Sequence, residues 1–566
     1  MDSQAHSSSH GDIDRADALV LRYTFPSLEN RAPLFRKVAF EYVSQASDPI
    51  FRNPLGPAVL ARPDFISVAC REQPQCQRFC DFRESFRHRP SCLLRSVLLG
   101  FSVYSAFHRS KDSYHYLSGK KFQAMTHPQT IARVENLMDP DANILLNMDI
   151  EQAERLVLTG LADEVAKIDG QFAICATQGK TVRMARSIGR PMRYFLAKRA
   201  EGPCLIVAEQ IQDIRLKLSE MGIDDQFHAS YTRMVPAHYV VEIELVGCPD
   251  PNPLYTRFFQ PERNRWSNDL DSIGAKYIGQ LATECDAWLE RIDEKEPIGV
   301  LFSGGIDSGA VLLVLHHLML RRGQAPQRLK AFTLSVDQRA QDAQQANEFL
   351  KQCGLQMFHE VLDIPSHKLD WRRAVHITED YKPLDVQAAT MGLALCEEIR
   401  NRYPDWKYLV DGDGGDENLK DYPIEDNPEL TIRSVLNNLM LYQEGWGVHA
   451  IKHSLVYSGG QSRGHVRTWA PAKAIGFRGF SPFALPRVIE IAEGIPFIEL
   501  TDWDHGKLYE LKGQIVRRGV QQITGMDLPV FPKRRFQHGA LDAQVFEATF
   551  PKYEAAYRRE LLSFFS

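Results

Sequence analysis

A chain of 566 residues with 44% hydrophobic and 25% charged side chains has room for roughly two to four domains and the composition of an ordinary globular protein. Its net charge of −5 gives no overall attraction to nucleic acid or to an anionic membrane, and no apolar run is long enough to span a bilayer. No nucleic acid and no membrane are therefore expected as partners. The ten cysteines are expected as thiols or metal ligands of a cytoplasmic protein, because large intracellular chains seldom use disulfides.

The chain opens with Met1-Asp-Ser-Gln-Ala-His-Ser-Ser-Ser-His10, which lacks the basic-then-apolar order of a secretion signal, and residues 1–12 are expected to be a disordered leader. A cysteine-rich insertion follows at about 66–96, where Cys70, Cys76, Cys80 and Cys92 fall within 23 residues with His88 among them. Thiolates at this density suit a four-iron iron–sulfur cluster or a structural zinc ion. Their spacing matches neither paired Cys-x-x-Cys zinc ligands nor the common ferredoxin run, so merely clustered thiols are the plain alternative. Five arginines between Cys70 and Cys92 could lower thiol pKa values or make a basic patch for an acidic partner.

Short β-rich runs come next: Gln171-Phe-Ala-Ile-Cys-Ala176, Cys204-Leu-Ile-Val-Ala208 and His238-Tyr-Val-Val-Glu-Ile243. The Pro- and Asn-dense stretch from Cys248 to Asp269 then reads as a linker, which sets domain limits of 13–262 and 263–566. Beyond it strands and helices alternate: strand 298–302, helix 308–321, strand 329–336, helix 340–352, strand 356–362, helix 386–401, strand 407–411. That order predicts a doubly wound α/β domain, whose ligands sit at the carboxyl ends of the strands.

Two loops fall at such ends. In the first, Ser303-Gly-Gly-Ile-Asp-Ser308, Gly304 and Gly305 let backbone N–H groups approach phosphate oxygens, the following helix adds partial positive charge, and Ser303 and Ser308 offer hydroxyls. Asp307 can hold a magnesium ion. This is not the Gly-x-x-x-x-Gly-Lys-Ser/Thr loop of enzymes acting at the γ-phosphate, and it suits ATP cleaved between the α- and β-phosphates. In the second, Asp411-Gly-Asp-Gly-Gly-Asp-Glu417, Gly412, Asp413 and Asp416 face the same ligand. A calcium-binding EF-hand is excluded, since counting from Asp411 puts Asp416 at the sixth position and Tyr422 at the twelfth. Adenine is expected to be held by backbone near Leu334 and Ser335.

The order of these two loops, roughly a hundred residues apart and followed by Tyr422, resembles asparagine synthetase and its relatives, the β-lactam synthetases and lasso-peptide cyclases. Lys167-Ile-Asp-Gly-Gln-Phe-Ala173, Arg186-Ser-Ile-Gly-Arg-Pro-Met-Arg-Tyr194 and Val207-Ala-Glu-Gln-Ile211 are similar to the family's amino-terminal domain. Gly476-Phe-Arg-Gly-Phe-Ser-Pro-Phe483 is similar to a late segment, with Arg478 and Phe480 replacing its glutamate and arginine, which argues against aspartate as substrate. The resemblance implies an α+β sandwich of the N-terminal-nucleophile type, glutaminase-like, followed by a doubly wound ATP-pyrophosphatase domain. It also implies magnesium on Asp307 and Asp416, Lys533 steadying an acyl-adenylate, and Glu379 or Asp380 as the base.

Glutamine-using relatives start with a cysteine after the initiator methionine, whereas here Met1-Asp2 is followed by a first cysteine only at Cys70, and Ser187 replaces the acid of an Arg-Asp pair. The first domain is thus expected to be a glutaminase fold without glutaminase chemistry. The expected activity is an ATP-dependent amide-forming ligase that joins a carboxylate to an amine, small molecule or peptide, in specialised metabolism. The alternatives are a macrolactam-forming peptide cyclase, an ammonia-dependent synthetase, a non-catalytic nucleotide-binding relative and, less in keeping with the first domain, a sulfur-transfer enzyme. A homodimer is an open assembly.

Overall fold

The computed structural model describes residues 133–246, 252–338, 341–420, 464–502, 504–532 and 539–565, all within one compact unit, Met125–Ser566. The leader 1–12, the insertion with Cys70, Cys76, Cys80 and Cys92, Tyr422 and Lys533 lie outside the described residues.

Residues 133–257 contribute two four-stranded sheets. The first runs in the order Arg133–Asn136, Gly202–Ala208, Arg193–Arg199, Arg233–Met234, and the second Leu254–Arg257, Tyr239–Glu244, Thr181–Arg186, Ala173–Gln178. Period-two alternation sorts their side chains. Tyr194, Leu205 and Val207 of the first sheet meet Val182, Met184, Val241 and Ile243 of the second in one core. Their neighbours Phe195, Ala197, Cys204 and Ile206 point the other way, onto the Ile211–Glu220 helix. The Ile150–Thr159 helix covers the outer face of the second sheet through Ala153 and Val157. Four layers result, with a helix on each outside.

The later residues build a five-stranded, all-parallel sheet in the order His359–Ile364, Leu329–Val336, Ile298–Leu301, Tyr408–Val410, Arg478–Phe480. Its central strands read as continuous apolar runs because helices bury both faces. Leu270–Leu289, Ile306–Arg321 and Leu508–Thr524 lie on one face, and Trp371–Thr378, Pro383–Arg402 and Glu554–Phe564 on the other. The chain begins in the middle strand, steps outward to one edge and then continues on the other side. The topological switch point therefore falls between Ile298–Leu301 and Tyr408–Val410, where open α/β sheets bind ligands. The strand expected at 356–362 begins later, at His359, because Gln356–Phe358 is taken up by a 3-10 turn. Among the described residues no helix is long and apolar enough to cross a membrane.

Candidate active site

Both loops emerge at the switch point and touch. A Cβ added to Gly412 would stand 2.6 Å from Ser308 N, and one on Gly415 would stand 2.2 Å from Asp307 Oδ1. Gly415 thus lets the second loop close against the first aspartate. Gly304 has φ +71°, a conformation that favours glycine, and its Cβ would strike the Ala346 backbone at 2.7 Å.

The first loop is open to an anion. The Ile306–Arg321 helix has Gly305 as its N-cap, which brings no side chain to cap the first-turn N–H groups. Ser303 Oγ and Ser308 Oγ are 3.4 Å apart, and Gly305 N reaches Ser303 Oγ at 3.3 Å. Contacts this long are weak and leave the hydroxyls ready to bond phosphate oxygens.

Strand lengths explain the expectation for adenine. On the Leu329–Val336 side Ile298–Leu301 pairs only as far as Phe332, while that neighbouring strand continues to Val336. Phe302 N donates to Phe332 O, so the Phe332 carbonyl faces that side. Backbone groups of a strand repeat every second residue, so the Leu334 N–H and C=O face the same side, beyond the end of the shorter strand. Ser335 has its hydroxyl committed to Asp363 Oδ1 at 2.6 Å.

Asp307 and Asp416 are brought together by a residue that the sequence reading missed. Lys512 Nζ lies 2.5 Å from Asp307 Oδ2 and also contacts Asp416 Oδ1. Its side chain is 2% exposed, against 20% and 30% for the two aspartates. A signal was present. On the Leu508–Thr524 helix the apolar stripe runs Leu508, Leu511, Ile515, Val516, Val520, and Lys512 falls inside it. A lysine in such a stripe needs a partner for its charge. The ammonium is a stand-in cation between two carboxylates, so the donor set fits magnesium. Among the described residues no three His, Cys, Asp or Glu side chains gather as a metal-binding group. Two carboxylates with substrate phosphates and water are how magnesium is usually bound.

The second loop carries a buried acid pair. Asp411 Oδ2 accepts from Thr468 Oγ1 at 2.7 Å and Ser481 Oγ at 2.9 Å, and Thr468 Oγ1 is also 2.8 Å from Asp413 Oδ2. Burial pushes the Asp411 carboxyl up to about 6, and burial together with the Asp411 charge raises Asp413 well above the carboxylate range. Arg467, 3.3 Å from Asp385, lies beside this acidic ground; its own pKa is lowered by burial but raised overall by Asp385, Asp413, Glu417 and Asp416.

The two acids expected to act as a base are committed elsewhere. Glu379 is fully buried, and its Oε2 and Oε1 accept from Ile211 N at 2.7 Å and Gln212 N at 2.8 Å, with Arg193 at 3.2 Å. It caps the Ile211–Glu220 helix, whose own N-cap Gln210 makes no cap bond. Asp380 accepts from Lys382 N at 2.8 Å and pairs with Lys382 Nζ at 3.1 Å. Glu379 ties two elements together and Asp380 is held by a residue two places along the chain, whereas Asp307 and Asp416 meet at Lys512.

A helix N-terminus without a side-chain cap and paired carboxylates at the switch point of a parallel sheet are the arrangement of a nucleotide-dependent α/β enzyme domain. More specifically, residues 286–468 match the asparagine synthase family model. The chain carries an asparagine synthetase-like domain, and the family consists of ATP-dependent, AMP-forming carbon–nitrogen ligases that use magnesium. No curated protein matches the chain.

Proposed function

We propose that this protein adenylates a carboxylate with magnesium-ATP and passes the acyl group to an amine that its own amino-terminal layers do not supply. One observation carries the reading: two glycine-rich loops meet at the switch point with Asp307 and Asp416 on a single cation, Lys512. In this reading the Leu334 backbone receives adenine, and the Ser303–Ser308 loop with the open helix terminus takes the β- and γ-phosphates. Asp307 and Asp416 hold magnesium. The ion, when bound, neutralises charge on the leaving pyrophosphate.

Lys512 then changes partners, turning from carboxylates to pyrophosphate oxygens, while Lys533 steadies the acyl-adenylate. A charge of this kind in a water-poor site contributes about 3 kcal/mol to barrier lowering. An ammonium cannot attack until it loses a proton, and Asp413 is the better base. It lies on the loop that carries Asp416, and burial together with the Asp411 charge raises its affinity for a proton. The nitrogen source is supported by Ser187, where a glutaminase-type acid would stand. It is fully buried, and its Oγ takes the Phe172 N–H at 2.9 Å. Substrates are a carboxylate and an amine, small molecules or a peptide.

The test is release of pyrophosphate and AMP from magnesium-ATP with a panel of amino acids, diamino acids and peptides. Release of both that depends on one substrate pair, and is lost in Asp307→Ala and Lys533→Ala, is expected. Tight ATP binding with no release under any pair would overturn the ligase reading in favour of a binding protein.

A further inference from the structure

Thr468 faces more acceptors than it has hydrogens. Its Oγ1 lies 2.7 Å from Asp411 Oδ2, 2.8 Å from Asp413 Oδ2 and 3.0 Å from Gly464 O. A threonine hydroxyl donates one hydrogen and accepts through two lone pairs. Only one of the carboxylate contacts can use that hydrogen; the other is lone pair against lone pair unless a carboxyl proton fills it. Asp411 is otherwise served as an anion, by Ser481 Oγ at 2.9 Å and Asp413 N at 3.0 Å. Two carboxylates held this close resist ionising together.

We infer that Thr468 ties Asp411 and Asp413 into one acid pair holding a single proton, and is the positioning residue through which Asp411 readies Asp413 for the attacking amine. This rests on Asp413 being the base of the proposed ligase. In one arrangement Asp413 carries the proton and donates it to Thr468 Oγ1, whose own hydrogen points to Asp411. Shifting both hydrogens one place leaves Asp411 protonated and Asp413 a carboxylate, with the charge of the pair unchanged. An N–H bond of the substrate ammonium then breaks toward Asp413. Its electron pair stays on nitrogen, which is free to attack the acyl carbon.

The surroundings keep the proton local. Arg467 comes from the His465–Trp469 turn, Asp385 and Cys396 from the Pro383–Arg402 helix, and Asp416 and Glu417 from the loop itself. His465, on the same turn, is held neutral by burial and by Arg193, Lys473, Arg190 and Arg186. Arg467 thus faces Asp413, while burial already inclines both acids toward protonation.

Infrared difference titration of the full chain, with neither ATP nor substrate, reads buried protonated carboxyl groups directly. Wild type and Thr468→Ser are expected to share one protonated aspartate near neutral pH. Thr468→Val removes a donor from the charged form and should move the midpoint up by about one pH unit. Asp411→Asn removes the like charge and should move the remaining midpoint down, which keeps the test sharp if the valine variant does not fold. Equal titration in wild type, Thr468→Val and Asp411→Asn would overturn the inference, as would a Thr468→Ser variant that behaves like the valine one. Once a substrate pair is known, the acidic limb of kcat should follow the same order. The spectroscopy needs no turnover, so silence toward every substrate counts against the ligase alone, and an active ligase with unaltered titration counts against Thr468 alone.

Discussion

Glu379 and Asp307 are both acids beside a buried cation, yet their surroundings separate them. Each Glu379 oxygen accepts a backbone N–H and the whole residue is sealed. Asp307 and Asp416 stay partly exposed at the ends of adjacent parallel strands and share one lysine that has alternatives in a ligand. A carboxylate saturated by N–H groups fixes two elements relative to each other. One that shares a side-chain cation at a cleft can exchange that cation for a metal. The difference lies in what else can take the partner's place.

The largest expected effect breaks the open cluster. Asp307→Asn should lower pyrophosphate release by about 10³-fold with the melting temperature little changed, measured by release kinetics beside thermal unfolding. Equal activity would remove Asp307 from the metal site. The sealed cluster should respond in the opposite way. Glu379→Gln leaves Arg193 without its charge partner and should cost about 3 kcal/mol of stability in denaturant unfolding, while kcat of the folded fraction stays within about twofold. A large fall in kcat at unchanged stability would restore Glu379 as a base.

The acid pair gives a pH dependence between these extremes. Asp411 has its folded pKa raised from 3.8 to about 6, so the folded state binds its proton more tightly than the unfolded chain. Its contribution to stability is therefore complete below about pH 4 and is lost as pH rises to about 6, a change on the order of 3 kcal/mol. Asp411→Asn should flatten that slope in unfolding curves collected across the window. An unchanged slope would mean that Asp411 titrates normally.

The alternating sheet was legible because its signals are local. Apolar runs at Ile298–Leu301 and Leu329–Val336, and the Ser303 and Asp411 loops that follow their neighbours, mark strands and phosphate-facing turns wherever they occur. Thr468 was not legible, because it gains its role from a partner 57 residues away, and Lys512 showed only as a charge inside an apolar stripe, its partner Asp307 lying 205 residues away. Glu379 misled for the same reason. Acids in His376-Ile-Thr-Glu-Asp look alike in sequence whether they face a cleft or the N-terminus of a helix more than 160 residues earlier.

The smallest effect sharpens the comparison most. If Lys512 is a stand-in for magnesium, the two compete for the same carboxylates in the absence of nucleotide. Lys512→Met removes the ammonium that Asp307 and Asp416 share, and divalent ions then no longer compete with it for those carboxylates. Magnesium alone should stabilise this variant by about 1.4 kcal/mol at ten times its dissociation constant, read as a concentration-dependent rise in melting temperature, and should stabilise wild type much less. Asp416→Asn in the same background should erase the gain, since one carboxylate is a poor magnesium site. A glutamate tied to backbone N–H groups cannot show this exchange, so Arg193→Met should gain nothing from magnesium. Equal stabilisation of wild type and Lys512→Met would mean that the lysine and the metal occupy different ground, and the open cluster would then be as fixed as the sealed one.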